Sequence, residues 1–452
     1  MQSEQQSSTL MTEGSIGKKI IFFSIPLILG NLLQQLYSTA DSIIVGNFVG
    51  SNALAAVGSS TALIGLLIAF SQGVSVGAGV VAAQYLGAKN RRDVQGSIHT
   101  AFALAAVLGI ILTAGGIICS RPLLVWMNTP EEVLEDSVIY LQIYFGGLIF
   151  NVLYNMAAGI LNAAGNSKRS LIYLAYASVT NIGLDLLLIG VFKMGVAGAA
   201  IATDASQLVS CILSMWYLTH VDADYRISLK KIGIDKRMAV RIAKIGLPTG
   251  IQNMVISFSN VLVQSSVNSF GAAAMAGFGA YMKIDGFNIL PVLSFSMAVT
   301  TFTGQNYGAG KIERVKKGMW ITVLMGCVYT IVTGTLLLTF GDPLMRLFTD
   351  SREVIEHGKL AMKYFCPFYW MLGILHVLGG TIRGTGKTMQ AMIVFLVSLC
   401  GFRVMWIAGT MAWAKSLGHV MMCYPTSWLL GMLLMILYVW KGNWMVLRTE
   451  KI

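Results

Sequence analysis

Asp41 is a carboxylate in a place where an apolar chain should carry none. It lies in the stretch Ile20 to Gly50, which is long and apolar enough to cross a bilayer. A charged group in hydrocarbon costs from about 2.5 to more than 10 kcal/mol, so such an acid is read first as functional. Gln34, Tyr37, Ser38 and Asp41 recur at helical spacing and form one polar stripe. That stripe needs other helices or a water-filled cavity beside it. Asn181 and Asp185 stand four apart on one face of a second apolar segment, and Thr203 and Gln207 do so on a third. At about 1.5 Å of rise per residue, Asp41 lies about 30 Å and Asp185 about 23 Å from the inner ends of their segments, and Thr203 about 12 Å from an outer end. All three fall in the outer half of the membrane, which permits contact. Two carboxylates with amide and hydroxyl oxygens, held close and dry, share a proton. Deprotonated, the same oxygens suit a hard cation such as Na⁺. Either event changes the charge of a cavity and can release a cationic substrate. The plainer role, hydrogen bonding between helices, is set against the rarity and cost of acids at this depth.

Other polar residues in apolar segments carry weaker signals. Lys283 and Asp285 are two apart, so they do not face each other and each needs another partner; functional and structural readings both stay open. Arg403 is read as structural, snorkelling to an interface or pairing with an acid. His376 reads as a packed histidine rather than a proton relay. Asp204 neighbours Thr203 but points about 100° away from it, a separate matter. Gly73, Gly77 and Gly79 invite close helix packing and form no phosphate loop. Pro26 and Pro248 each remove a helical hydrogen bond and are candidate hinges, with a static kink as the alternative. The six cysteines are scattered, without CxxC or Cys/His ligand spacing, so neither disulfides nor a metal site is expected, beyond transient Na⁺ at Asp41 and Asp185.

These residues sit in a chain of 452 residues that is 55% hydrophobic and 12% charged, with a mean hydropathy of +0.69. Soluble domains carry roughly 25% charge, so this is an all-α membrane protein. Twelve segments have the length of a span: 20–46, 53–85, 97–118, 138–162, 170–192, 195–218, 240–268, 272–303, 317–340, 361–382, 389–411 and 418–440. With the N-terminus inside, twenty-three of the 32 Lys and Arg fall in inner segments and seven in outer loops; Lys283 and Arg403 lie within spans. Positive charge retains loops in the cytosol, so the split predicts N-in/C-in topology. It also accounts for the net charge of +12 without a nucleic-acid partner. The acids Glu131, Glu132, Glu135 and Asp136 read as a solvated helix start. The polar first nineteen residues hold no signal-peptide core.

The two halves repeat. Gly87-Ala88 recurs as Gly308-Ala309, Gly165 as Gly386, and Gly50, Ala53 and Gly58 as Gly271, Ala274 and Gly279, all at an offset of 221; Pro26 and Asn31 recur as Pro248 and Asn253 at 222. The expected organisation is a tail 1–19, an N-lobe 20–219, a basic linker 220–239, a C-lobe 240–440 and a tail 441–452. Six spans per lobe give both lobes one orientation, a parallel repeat of the kind used by secondary transporters with the substrate site between the halves. Asp41 maps to Val263 and Asp185 to Trp406, so neither acid is needed to build a six-helix lobe. No Walker A sequence is present, so direct drive by ATP is not expected.

The run from Pro26 through Asp41 to Val45-Gly46, with Ala55-Ala56-Val57-Gly58, Gln84-Tyr85-Leu86-Gly87-Ala88, Gly304-Gln305-Asn306-Tyr307-Gly308-Ala309 and Arg383-Gly384-Thr385-Gly386, resembles the multidrug and toxic compound extrusion family in its prokaryotic type. The resemblance covers nearly the whole chain. It implies export of organic cations and other amphipathic compounds in exchange for H⁺ or Na⁺, without a prosthetic cofactor. It implies an N-lobe cation site at Asp41, Asn181, Asp185 and Thr203, with Tyr37 beside it, and makes Lys283 and Asp285 a family feature. Acids that one branch carries in spans seven and ten are missing here; span ten offers only His376, so the N-lobe is favoured. The expected protein is a monomeric antiporter of a prokaryotic plasma membrane, in contact with lipid. It takes small cationic or amphipathic substrates, with Gln34, Gln207, Lys283, Asp285 and Arg403 as further cavity candidates. A lipid or lipid-linked-sugar flippase of the same superfamily is the alternative. No pore-filter repeat supports a channel, and no nucleophile–base set or HExxH-type motif supports an enzyme.

Overall fold

The computed structural model describes residues 10–413, 415–442, 444 and 445, which are helical with no strand among them. Residues 1–9 and 446–452, and with them Arg448 and Lys451 of the charge count, lie outside the described residues. Twelve helical segments follow the twelve apolar stretches. They are α1 (Ile16–Phe48), α2 (Ser51–Gly87), α3 (Arg91–Trp126), α4 (Glu131–Gly146 with Leu148–Ala163), α5 (Ser167–Val191) and α6 (Gly195–His220), then α7 (Lys236–Asn268), α8 (Ala272–Gly308), α9 (Ile312–Thr339), α10 (Arg352–Gly384), α11 (Thr388–Trp413) and α12 (Leu417–Trp440). Among the described residues ten are long and apolar enough to cross a membrane, eleven if the two pieces of α4, bent by 46°, count as one span. α7 has 33 residues, but Gln252, Asn253, Ser257, Ser259, Asn260 and Gln264 leave it less apolar than the others. The acids at 131–136 open α4: Glu131, Glu132 and Glu135 are exposed, and Glu135 pairs with Arg121 at 2.8 Å.

The repeat extends to backbone detail. α1 and α7 have 33 residues each, α2 and α8 have 37 each. α2 is capped by Gly50 at φ 114° and α8 by Gly271 at φ 105°, a conformation that side-chain-bearing residues rarely adopt. Both helices end alike, the N–H of Ala88 on the carbonyl of Gln84 and that of Ala309 on the carbonyl of Gln305.

By contacts the chain divides into two compact units, one of Leu10 with Ile25–Gly250, the other of Met11–Ser24 with the residues from Ile251 onward. Membership changes one residue before Pro26 and two after Pro248. The 220–239 linker therefore belongs to the first unit, and hydrogen bonds explain why. Ser228 N–H donates to His99 Nε2 at 3.0 Å, Asp235 N–H to Thr100 Oγ1 at 3.1 Å, and Arg241 to Gln84 Oε1 at 2.8 Å and the Tyr85 hydroxyl at 2.7 Å. In the second unit the N–H of Met11 donates to Gln305 Oε1 at 2.6 Å, and Arg314 reaches the Met11 and Glu13 carbonyls. Gln84 and Gln305 are repeat mates at the same offset of 221. The glycines of α2 do bring backbones together: a Cβ on Gly77 would run into Gly246, one on Gly73 into Gly250, and one on Gly79 into the Gly159 carbonyl.

Candidate functional site

Asp41 is carried by the C-terminal half of α1, Asn181 and Asp185 by α5, and Thr203 and Gln207 by α6. The first unit folds these three helices so that the acids meet. Asp41 is 9% exposed, Asp185 0% and Asn181 1%. The two carboxylates lie close enough to interact directly, and when ionised both offer only acceptors. Asn181 spends its amide on Thr203 Oγ1 at 3.5 Å, leaving its own carbonyl oxygen turned elsewhere. As a result Asp41 Oδ1, both oxygens of Asp185 and Asn181 Oδ1 are buried acceptors with no hydrogen-bond partner among the described residues. A buried polar group left unpaired costs about 1–3 kcal/mol, and more when charged. Four such oxygens on Asp41, Asn181 and Asp185 form an acceptor set, and acceptors of this kind can take a proton or a small hard cation. Groups of three or more His, Cys, Asp or Glu able to hold a metal are absent among the described residues.

Around this pair, Tyr37 is half-buried, hydrogen-bonded to Gln34 and within electrostatic reach of Asp41. Ser38, the remaining member of the stripe, faces outward. Gln207 sits one turn below Thr203 and accepts from Asn151 Nδ2 at 3.3 Å; Asn155 Nδ2 in turn donates to Asn151 Oδ1 at 2.7 Å. Asn151 and Asn155 of α4 were not singled out by sequence, nor were Tyr140 and Tyr144, buried within electrostatic reach of the Asp41 carboxylate. Each pair has the i,i+4 spacing that would have flagged it. Directly after Asp185 the helix widens into a π turn at Leu186–Val191, a feature that recurs at functional sites. Like Asp41, Asp204 stands within electrostatic reach of Tyr140 and Tyr144. Its carboxylate accepts from the backbone N–H of Gly147, at the bend of α4, and fills the space a Cβ there would occupy.

Of the second-unit candidates, Asp285 and Arg403 have partners within their own unit. Asp285 accepts a hydrogen bond from the Tyr369 hydroxyl, which is paired with the Tyr281 hydroxyl, while Lys283 is exposed. Arg403 does not snorkel, and it pairs with no acid among the described residues. It is 3% exposed, donates to Ser427 Oγ and Asn260 Oδ1, each at 3.0 Å, and lies 4.3 Å from the centre of the Tyr424 ring. His376 packs against Phe395, ring centres 5.3 Å apart.

The family model MatE matches residues 26–187 and again 248–408, one copy per half, each starting at the repeated proline. The chain belongs to the MatE family. Among relatives of this MatE protein, the probable multidrug resistance protein YpnP of Bacillus subtilis is 32% identical over 97% of this chain and 99% of its own. The probable multidrug resistance protein NorM of Thermotoga maritima is 27% identical over 85% of this chain and 83% of its own. In fold, a MOP-superfamily transporter from Pyrococcus furiosus superposes with a TM-score of 0.89 at 22% identity, covering 95% of this chain and 96% of that one. The MatE chain is thus a multi-pass membrane transporter and not an enzyme.

Proposed function

We propose that this MatE-family multidrug efflux transporter is a secondary antiporter that exports organic cations and amphipathic drugs in exchange for H⁺ or Na⁺ bound at Asp41 and Asp185. The observation that carries this reading is the pair of buried carboxylates, close enough to interact directly and offering only acceptors when ionised. An acceptor set that can take a positive charge favours whichever conformation lets that charge enter, and a bound ion shifts the equilibrium only by its differential affinity for the two states. The coupling ion enters from outside, neutralises the pair, and displaces a cationic substrate. Release of the ion on the inner side resets the protein. Gln34 and Gln207 belong to the polar lining that substrate meets, and Pro26 and Pro248 are the positions where α1 and α7 bend between states. No prosthetic cofactor takes part, and the protein works as a monomer in a prokaryotic plasma membrane.

Competition between ion and substrate tests the reading. A fluorescent organic cation bound to detergent-solubilised protein should be displaced by Na⁺ at constant ionic strength, or by acidification, and Asp41→Asn should lose that displacement while still binding the dye. Displacement in Asp41→Asn equal to that of the unaltered protein would place ion coupling elsewhere.

A further inference from the structure

Arg383, in the last turn of α10, is 9% exposed. Its Nη2 donates to Ser296 Oγ at 2.8 Å, but its Nε has no hydrogen-bond partner, and no ion pair engages it among the described residues. Ser296 offers no negative charge in return, because its hydroxyl hydrogen is directed to the His376 carbonyl at 2.7 Å. Arg403 shows how this unit otherwise keeps a buried guanidinium: two hydrogen bonds and an aromatic face. A helix C-terminus does favour a cation, but its partial charge is roughly half an elementary charge. A buried full charge ordinarily has a counter-charge.

The internal repeat shows that the fold does not require this arginine. Ser75, Gly159 and Asn162 in the first half correspond to Ser296, Gly380 and Arg383 at an offset of 221. The helix crossing is the same in both: a Cβ on Gly159 would meet the Ser75 carbonyl oxygen at 2.9 Å, and one on Gly380 the Ser296 carbonyl oxygen at 2.5 Å. In the first half the site is neutral, Asn162 accepting from Ser170 Oγ at 3.1 Å. In the second half a cation stands there with no acid to meet it among the described residues. A second orphan lies on α8, against the residue that follows Arg383. Thr303, whose side chain packs against Gly384, has a fully buried hydroxyl without a partner.

We propose that Arg383, with the Thr303 hydroxyl, forms a buried site for one small inorganic anion of the chloride type. The unspent guanidinium N–H and the threonine O–H are donors without acceptors, the set a halide accepts. The burial of Arg383 leaves no opening for a bulky headgroup. The site lies in the second unit and stands apart from the cation-coupling reading, so either can fail alone.

Thermal unfolding of the purified protein, titrated with chloride against gluconate at constant ionic strength, tests it. The unfolding midpoint should rise saturably with chloride. Arg383→Asn, which installs the residue used at the equivalent place in the first half, should fold and show no chloride response. Should it fail to fold, Arg383→Lys takes its place: the charge stays, the fork is lost, and half-saturation should move to roughly tenfold higher chloride. An unaltered protein indifferent to chloride, or a variant with the unaltered half-saturation, would overturn the proposal.

Discussion

At the scale of single residues, the account rests on Asp185, completely buried with both oxygens unpaired. A carboxylate retained for stability is one whose hydrogen bonds are made, and removing it costs about 1–3 kcal/mol. Asp185 is in the opposite condition, so Asp185→Asn should leave thermal stability unchanged or raise it while abolishing ion-driven transport. A fall in the unfolding temperature equivalent to 1 kcal/mol or more would point to a structural acid. Asp41, Asn181, Asp185 and Thr203 were legible in the sequence because charge and amide groups at helical spacing are anomalous in apolar segments. Tyr140 and Asn151 were not, since tyrosine and asparagine also occur as ordinary packing residues and their partners lie on other helices. Asp285 was visible, but its partner Tyr369 is 84 positions away.

At the scale of elements, the glycines decide more than the apolar residues do. Gly50 and Gly271 hold the same left-handed backbone at the start of α2 and α8, in open surroundings where a Cβ meets nothing. Strain is then the whole cost of a side chain, about 1–3 kcal/mol. Gly50→Ala and Gly271→Ala should destabilise by similar amounts in that range, measured by thermal unfolding in detergent; a neutral result at both would remove the strain. Helix positions followed from hydropathy and punctuation, and the repeat from glycine and proline spacing. The π turn at Leu186–Val191 did not, because Leu-Leu-Leu-Ile-Gly-Val suits an α-helix equally well. Nor did the placement of the first turns of α1 and α7, which depends on hydrogen bonds from Met11 and Arg241 to glutamines far along the chain.

At the scale of the whole molecule, charge distribution and internal duplication carry the account. The 23-to-7 division of Lys and Arg predicts that the basic linker faces the cytosol and the start of α4 the outside. In a cysteine-free background, Lys231→Cys should react with a membrane-impermeant maleimide only in inverted vesicles, and Glu132→Cys only in intact cells; both side chains are exposed. Labelling of both from one side would overturn the topology. Duplication built two similar units, and the second has Val263 and Trp406 where the first has Asp41 and Asp185, which is why we propose coupling in the first. The most direct measurement is accumulation of a fluorescent organic cation in proteoliposomes under an imposed proton gradient or, separately, a sodium gradient, with the unaltered protein and Asp41→Asn side by side. The account predicts accumulation by the unaltered protein under at least one gradient and none by Asp41→Asn under either. Gradient-driven accumulation by Asp41→Asn at the unaltered rate would contradict it.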